Sequence, residues 1–173
     1  DIERVVLGTT AEDLDGPVHF RAAPDQRIDL AGQRLLVEID AELVERDGLR
    51  VVIGDPTEGA LQVAALKAGL VVDRMRMRFA RVGEIPFSSE RKLMSTAHTH
   101  ATAAEGGTTL FVKGAPDVLL ARCHAEQIGD SEQPLTDARR LEISDAINTL
   151  ADEALRTLGI AYRLLPDHLA VAL

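Results

Sequence analysis

The stretch KLMSTAHTHATAAEGGTTLFVKGAPDVLL, residues 92 to 120, holds two strand-like runs, Lys92 to His98 and Thr108 to Val112, separated by a loop ending in Glu-Gly-Gly. Two such runs joined through a glycine-containing loop read as a hairpin, so the strands should be antiparallel neighbours. The second run passes through Lys113, Gly114 and Ala115 into a short helical segment, Pro116 to Arg122. Gly-Ala-Pro is ordinary punctuation between a strand and a helix, and a lysine at a strand end is usually a solvated charge. The sharper reading is that Gly114, without a Cβ, lets a flat group approach the backbone while Lys113 reaches toward a negative charge.

Working outward, Thr136 opens a longer helix with Leu141, Ile147, Leu150, Ala154, Leu155 and Leu158 on its apolar side and Gly159 as its stop. Ile160 to Leu165 reads as a final strand. On the other side, Leu49 to Ile53 is short and β-branched and follows Asp47-Gly48, so it reads as a strand after a turn. A helix then begins at once. Asp55 suits its cap, Pro56 its first position, and Glu58 stands where it can reach back in a capping box; Leu61, Ala64, Ala65 and Ala68 share one side. From Asp29 to Arg46, Leu35, Leu36, Ile39, Leu43 and Val44 recur at helical spacing and predict an amphipathic helix. Arg74 to Phe79 alternates like a strand, yet its Met75/Phe79 spacing favours a helical turn. Before Gln26 only short strands around Val5 and Val18 are expected. Hairpins with helices that do not alternate regularly with strands point to an α+β fold, a twisted antiparallel sheet flanked by helices.

With 173 residues and a 46% hydrophobic share, the chain suits one globular domain, read as residues 1 to 173. Aromatics are only 3%, so the core must be mostly Leu, Val, Ile and Ala, and any Phe outside it is noticeable. A formal charge of -9 argues against a nucleic-acid or anionic-lipid partner engaged through a basic face. One cysteine, Cys123, fits a reducing cytosol. No apolar run approaches the roughly 18 residues of a membrane span, and no signal peptide opens the chain. The chain starts at Asp1 without Met, which suggests an excised piece.

Several familiar sites are set aside. GDPTEG, residues 54 to 59, lacks the Gly-Lys-Ser/Thr ending of a phosphate-cradling loop, and no GxGxxG opens a helix after a strand. His98 and His100 fall on one face of a strand, but a metal site needs further ligands, and none is near in sequence. No local signature supports nucleophilic catalysis.

Four pieces remain: GDPTEGAL (54 to 61), EIPFSSERKLMS (84 to 95), FVKGAPD (111 to 117) and ALRTLGIAYR (154 to 163). In this order the chain resembles the nucleotide-binding domain of P-type cation-transporting ATPases, in the branch of calcium, sodium/potassium, proton and magnesium pumps. The resemblance spans residue 54 to the end; residues 30 to 50 resemble the helix and turn before the first motif. It implies that Phe87 stacks on adenine and that Glu58 hydrogen-bonds the adenine amino group. It further implies that Lys92 and Lys113 offset phosphate charge or pack along the base, with Gly114 beside the second lysine. Arg156 would contact phosphate, and Leu158 the ring. The residues have plainer readings as well: Phe87 as core beside Ile85 and Pro86, Glu58 as the capping box, Arg156 as a solvated flank of the long helix. Where close relatives often carry an arginine two residues after the phenylalanine, this chain has Ser89, and Arg91 would point to the other face of its strand.

The family's phosphorylated motif, DKTGT, occurs nowhere in these residues, so no catalytic residue is expected here. The resemblance implies instead that the domain delivers ATP, with magnesium on its phosphates, to the phosphorylation domain of a larger membrane pump. Its partners would be that domain and the actuator domain, on the cytoplasmic side of the membrane, with no segment of this chain inserted. The parent would hydrolyse ATP and translocate a cation. A stand-alone kinase or phosphatase would need paired acids for magnesium, and Asp55 with Glu58 is the only compact candidate. The alternative is a degenerate interaction module that kept the fold and lost the pocket. The His-Pro pair of the heavy-metal branch is absent.

Overall fold

A computed structural model describes residues 2–10, 41–46, 49–54, 56–67, 77–100, 107–128 and 131–165. The elements are β1 (Ile2–Thr10), β2 (Glu42–Arg46), β3 (Leu49–Ile53), α1 (Pro56–Lys67), β4 (Phe79–Ser88), β5 (Leu93–His100), β6 (Thr108–Gly114), α2 (Pro116–Leu120), β7 (Cys123–Ile128), β8 (Ser131–Pro134), α3 (Asp137–Asp152) and β9 (Arg156–Leu165). Seven strands form one sheet in the order β4-β5-β6-β9-β1-β7-β8, while β2 and β3 form a separate hairpin. All neighbours in the large sheet are antiparallel except β1 and β7. The α+β fold expected from the sequence is the one observed.

The 92–120 stretch forms the expected hairpin, with Thr96 opposite Phe111 and Leu93 opposite Gly114. Alternation then gives the sheet two different faces. On one face Leu93, Val112 and Ala161 pack with Leu119 and Leu120 of α2, with Cys123 and Leu135, and with Ile143 of α3, forming the apolar core. On the other, the Phe111 ring, 1% exposed, meets Phe79 edge-on at 6.1 Å, His98 at 5.4 Å and Tyr162 at 6.4 Å. The buried His98 takes its partners within the fold, Thr96 Oγ1 at 2.9 Å and the Phe79 carbonyl at 3.3 Å.

Several sequence expectations are corrected. Residues 42–46 are a strand, not the end of a helix, with Val44 opposite Val51 and Arg46 opposite Leu49. The Asp47-Gly48 dipeptide is a strong two-residue hairpin signal, and cross-strand pairing of β-branched residues outweighs the helical spacing. The part of that helix from Asp29 to residue 40 lies outside the described residues, as do the strand expected at Val18, the cap at Asp55, Ala68 and residues 74 to 76. Met77 and Arg78 are helical, and Phe79 begins β4.

The long helix begins where expected, with Thr136 Oγ1 accepting from Arg139 N at 3.2 Å, but it ends at Asp152. Ala154 turns the chain at φ 60°, and β9 is already running at Arg156, so Leu158 and Gly159 are strand residues. Gly159 is a packing position rather than a helix stop. A Cβ there would sit 2.9 Å from Pro116 Cα and 3.1 Å from Leu119 Cδ1. With the helix shorter and its face rotated, Leu141 is 68% exposed and Ile143 enters the core instead. The segment between α2 and α3, to which the sequence reading assigned no element, contains β7 and β8. In β7, Cys123 and Ala125 are buried, and so is Glu126, which accepts from Arg139 Nε at 2.9 Å and ties α3 to the sheet. This bond, with a second from Glu142, holds the guanidinium of Arg139 more firmly protonated.

Candidate functional site

Pairing registers bring three of the four motif pieces to one end of the large sheet. Ser88 at the end of β4 pairs with Leu93 at the start of β5, Leu93 with Gly114 at the end of β6, and Gly114 with Gly159 near the start of β9. Phe87, Lys92, Lys113, Gly114, Arg156 and Leu158 therefore lie within a few residues of the same edge. Glu58 arrives from outside the sheet, on the first turn of α1. That helix is set against the β2–β3 hairpin at Gly59, where a Cβ would run into the Val52 side chain.

The turn from β4 to β5 is tightly closed. Lys92 N donates to Ser88 O at 2.7 Å, Arg91 N to Ser88 Oγ at 3.2 Å, and Lys92 adopts φ 56°. A lysine in the left-handed region is uncommon and is held there by its surroundings. The surroundings are identifiable: Ala115 N donates to the Lys92 carbonyl at 3.0 Å, and Gly114, at φ 154°, passes beneath the same carbonyl. A Cβ on Gly114 would collide with Lys92 O and lie 2.9 Å from Leu93 Cα. The close approach that this glycine permits is thus made by the chain's own turn, which carries Phe87 and Lys92.

Phe87 is 59% exposed, whereas Phe79, Phe111 and Tyr162 are all buried. It lies where the β4–β5 register shifts, between Ile85, paired with Ser95, and Ser88, paired with Leu93. The core reading of Phe87 is therefore corrected: among the described aromatics, this ring stays at the surface beside the turn. Lys92 and Arg156 are also exposed, and Leu158, opposite Gly8, is half-buried. Arg156 lies on β9 and not on the flank of the long helix.

Lys113 behaves differently from Lys92. It is only 6% exposed, and its Nζ donates to Glu58 Oε1 at 2.5 Å. Glu58 thus reaches across to the sheet. Arg91 is committed elsewhere: Nη2 donates to the buried Ser95 Oγ at 2.9 Å, on the helix-bearing face. Its Nη1 is buried and lacks a hydrogen-bond partner. Arg91 lies in the turn between β4 and β5 and not in a strand, so the alternation expected for it does not apply, and Ser89 is exposed. Sequence reasoning missed two contacts here, Arg91 with Ser95 and Lys113 with Glu58. The first was accessible from the four-residue spacing, but the second joins residues 55 apart and has no local signal. Among the described residues, no group of three or more His, Cys, Asp or Glu could hold a metal ion, and no helix is long and apolar enough to cross a membrane.

The family model described as P-type ATPase, cytoplasmic domain N, matches residues 35–171. A calcium-transporting ATPase of Listeria monocytogenes is 37% identical over 114 residues, covering 66% of this chain and 12% of the relative. A probable plasma-membrane-type calcium-transporting ATPase of rice is 31% identical over 170 residues, covering 97% of this chain and 16% of the relative. The sodium/potassium-transporting ATPase subunit alpha-1 of the eel Anguilla anguilla is 37% identical over 119 residues, 68% of this chain and 12% of the relative. This chain therefore spans less than a fifth of the length of these relatives.

Proposed function

The chain belongs to the family of the cytoplasmic N domain of P-type ATPases, and from that membership we propose that it binds ATP and presents it to the phosphorylation domain of a cation-transporting pump. The observation that carries the reading is the exposed ring of Phe87, held at the tight turn beside Lys92 while the other described aromatics are buried. Adenine stacks on Phe87, with Leu158 as a further apolar contact. A base-aromatic stack contributes about 1 to 3 kcal/mol in nucleic-acid binders, enough to anchor a nucleotide without enclosing it. Glu58 accepts from the adenine amino group. The phosphates, with their magnesium ion, lie on the side of Lys113 and Arg156, and the exposed Lys92 adds charge there. Ser89 supplies no charge, and Arg91 is turned toward Ser95, so phosphate contacts are fewer than in relatives with an arginine at that position.

The chain as a whole, residues 1–173, acts as one nucleotide-delivery domain. Its contribution to catalysis is positioning: it holds the nucleotide while an aspartate on another domain attacks the γ-phosphate. The phosphorylation and actuator domains of the same pump are its partners, on the cytoplasmic side of the membrane. The whole protein hydrolyses ATP and moves a cation.

A titration of the isotope-labelled chain with ATP, ADP and GTP, with and without magnesium, followed by amide NMR, tests the reading. Shifts centred on Glu58, Phe87, Lys92, Lys113 and Arg156, with adenine preferred over guanine, are expected. No shifts at millimolar nucleotide would overturn it and leave an interaction module that kept the fold without the pocket.

A further inference from the structure

We infer that Arg91 is a positioning residue for the base: by holding Ser95 it fixes the β4–β5 turn, and the turn fixes the ring of Phe87. The inference rests on the ATP-binding reading above. Phe87 lies at a register shift, between the Ile85–Ser95 and Ser88–Leu93 pairs, so regular strand pairing does not set its position. The neighbouring Ser88 sets it instead, and Ser88 is held twice from the turn. Its carbonyl accepts from Lys92 N at 2.7 Å, and its Oγ from Arg91 N at 3.2 Å. The Arg91 guanidinium then ties the turn to β5, where Nη2 donates to Ser95 Oγ at 2.9 Å. Ser95 is 4% exposed and paired on both sides, with Ile85 of β4 and Val112 of β6, so the tether ends inside the sheet.

Two features of this turn are costly. Lys92 stands in the left-handed region at φ 56°, and Arg91 Nη1 is buried with no hydrogen-bond partner among the described residues. Both lower the stability of the fold, and both fall within residues 89–92, the link between β4 and β5. Such strain and unmet donors collect at functional sites, where the surrounding structure holds a group in place. Here the group next to the link is the exposed Phe87 ring. A ring at an irregular strand end that is free to move must give up that freedom when a base stacks on it, and fixing it beforehand removes the loss. Because the guanidinium reaches Ser95, its removal should weaken the base contact, and with it every adenine ligand alike, whether or not the ligand carries phosphate.

Dissociation constants of adenosine and ATP provide the test, together with amide hydrogen exchange at Lys92. They are compared among the wild-type chain, Arg91→Met, Arg91→Lys, Ser95→Ala and the Arg91→Met/Ser95→Ala double variant, under conditions where each is folded. Arg91→Met should weaken adenosine and ATP by the same factor, about fivefold or more, the low end of what a base stack contributes. The Lys92 amide should exchange faster in that variant, while the amides of β6 are unchanged. Ser95→Ala should reproduce both effects, which keeps the test intact if the methionine variant does not fold. The double variant should bind no more weakly than either single one, since both changes remove the same tether. Arg91→Lys, which retains a donor for Ser95 Oγ, should recover most of the affinity. Weakened ATP with unchanged adenosine would show that Arg91 acts on the phosphates, overturning the inference while the ATP-binding reading stands. A lowered denaturation midpoint with unchanged adenosine affinity would reduce Arg91 to a structural role and overturn it equally. Absence of binding by the wild-type chain would overturn the ATP-binding reading and this inference with it.

Discussion

The two faces of the seven-stranded sheet are built from different materials. The face covered by α2 and α3 is apolar: Leu93, Val112 and Ala161 interlock with Leu119, Leu120 and Ile143. The opposite face buries Phe79, Phe111 and Tyr162 among polar partners, Thr96, His98, Thr109 and Lys113. The first face owes its stability to area removed from water, which is non-directional and tolerant of detail. The second depends on specific pairings, such as His98 with Thr96 and Lys113 with Glu58, because a buried polar group without a partner is costly. One face is held by area and the other by pairings, and the proposed nucleotide site lies at the end of the sheet where Lys113 meets Glu58.

That division can be broken most forcefully at Leu119, which is fully buried between α2 and the sheet. Leu119→Ala should lower unfolding stability in denaturant by about 2 to 5 kcal/mol, since it leaves a cavity in a close-packed region. Nucleotide affinity measured under conditions where the variant stays folded should be unaltered. A large loss of affinity would show that the two faces are not separable. The reverse experiment is Phe87→Ala. An exposed ring contributes little to folding, so the denaturation midpoint should hardly move, while ATP affinity falls by about 1 to 3 kcal/mol. A variant that unfolds more easily and binds equally well would return Phe87 to the structural side.

The smallest effect is expected at Cys123, buried on the helix-covered face. Burial pushes its thiol up from 9.0 to about 11, opposed by the Arg140 guanidinium, which also donates to the Leu120 and Cys123 carbonyls. A raised pKa means that the folded state holds the proton more tightly than the unfolded chain. The corresponding stability is therefore full below pH 9 and is lost as pH rises toward 11. Comparing denaturant midpoints of the wild type and Cys123→Ala across that range should show the wild type losing stability more steeply. Parallel pH curves would contradict a dry environment at this position.

Local chemistry made the β5–β6 hairpin, the start of α1 at Pro56 and the Thr136 cap legible, because each depends on residues only a few positions apart. The motif residues were legible as well, through their likeness to a family. Errors arose where long-range pairing competed with local periodicity. Glu42–Arg46 carries helical spacing but takes Leu49–Ile53 as its partner, and Arg156–Gly159 looks like a helix end but lies in β9 between β1 and β6. β8 has no apolar pattern to find, since all four residues are exposed.

By itself the sequence determined the α+β class, the hairpin around which the sheet grows, the scarcity of aromatics that makes Phe87 noticeable, and membership of a family. Only the tertiary structure decided that Gly114 makes room for the chain's own turn, that Phe87 stays outside the aromatic cluster, and that Lys113 meets Glu58. Propensity and capping act over three or four residues and can be read along the chain. A carboxylate and an ammonium 55 residues apart meet only after the sheet and the β2–β3 unit have been brought together.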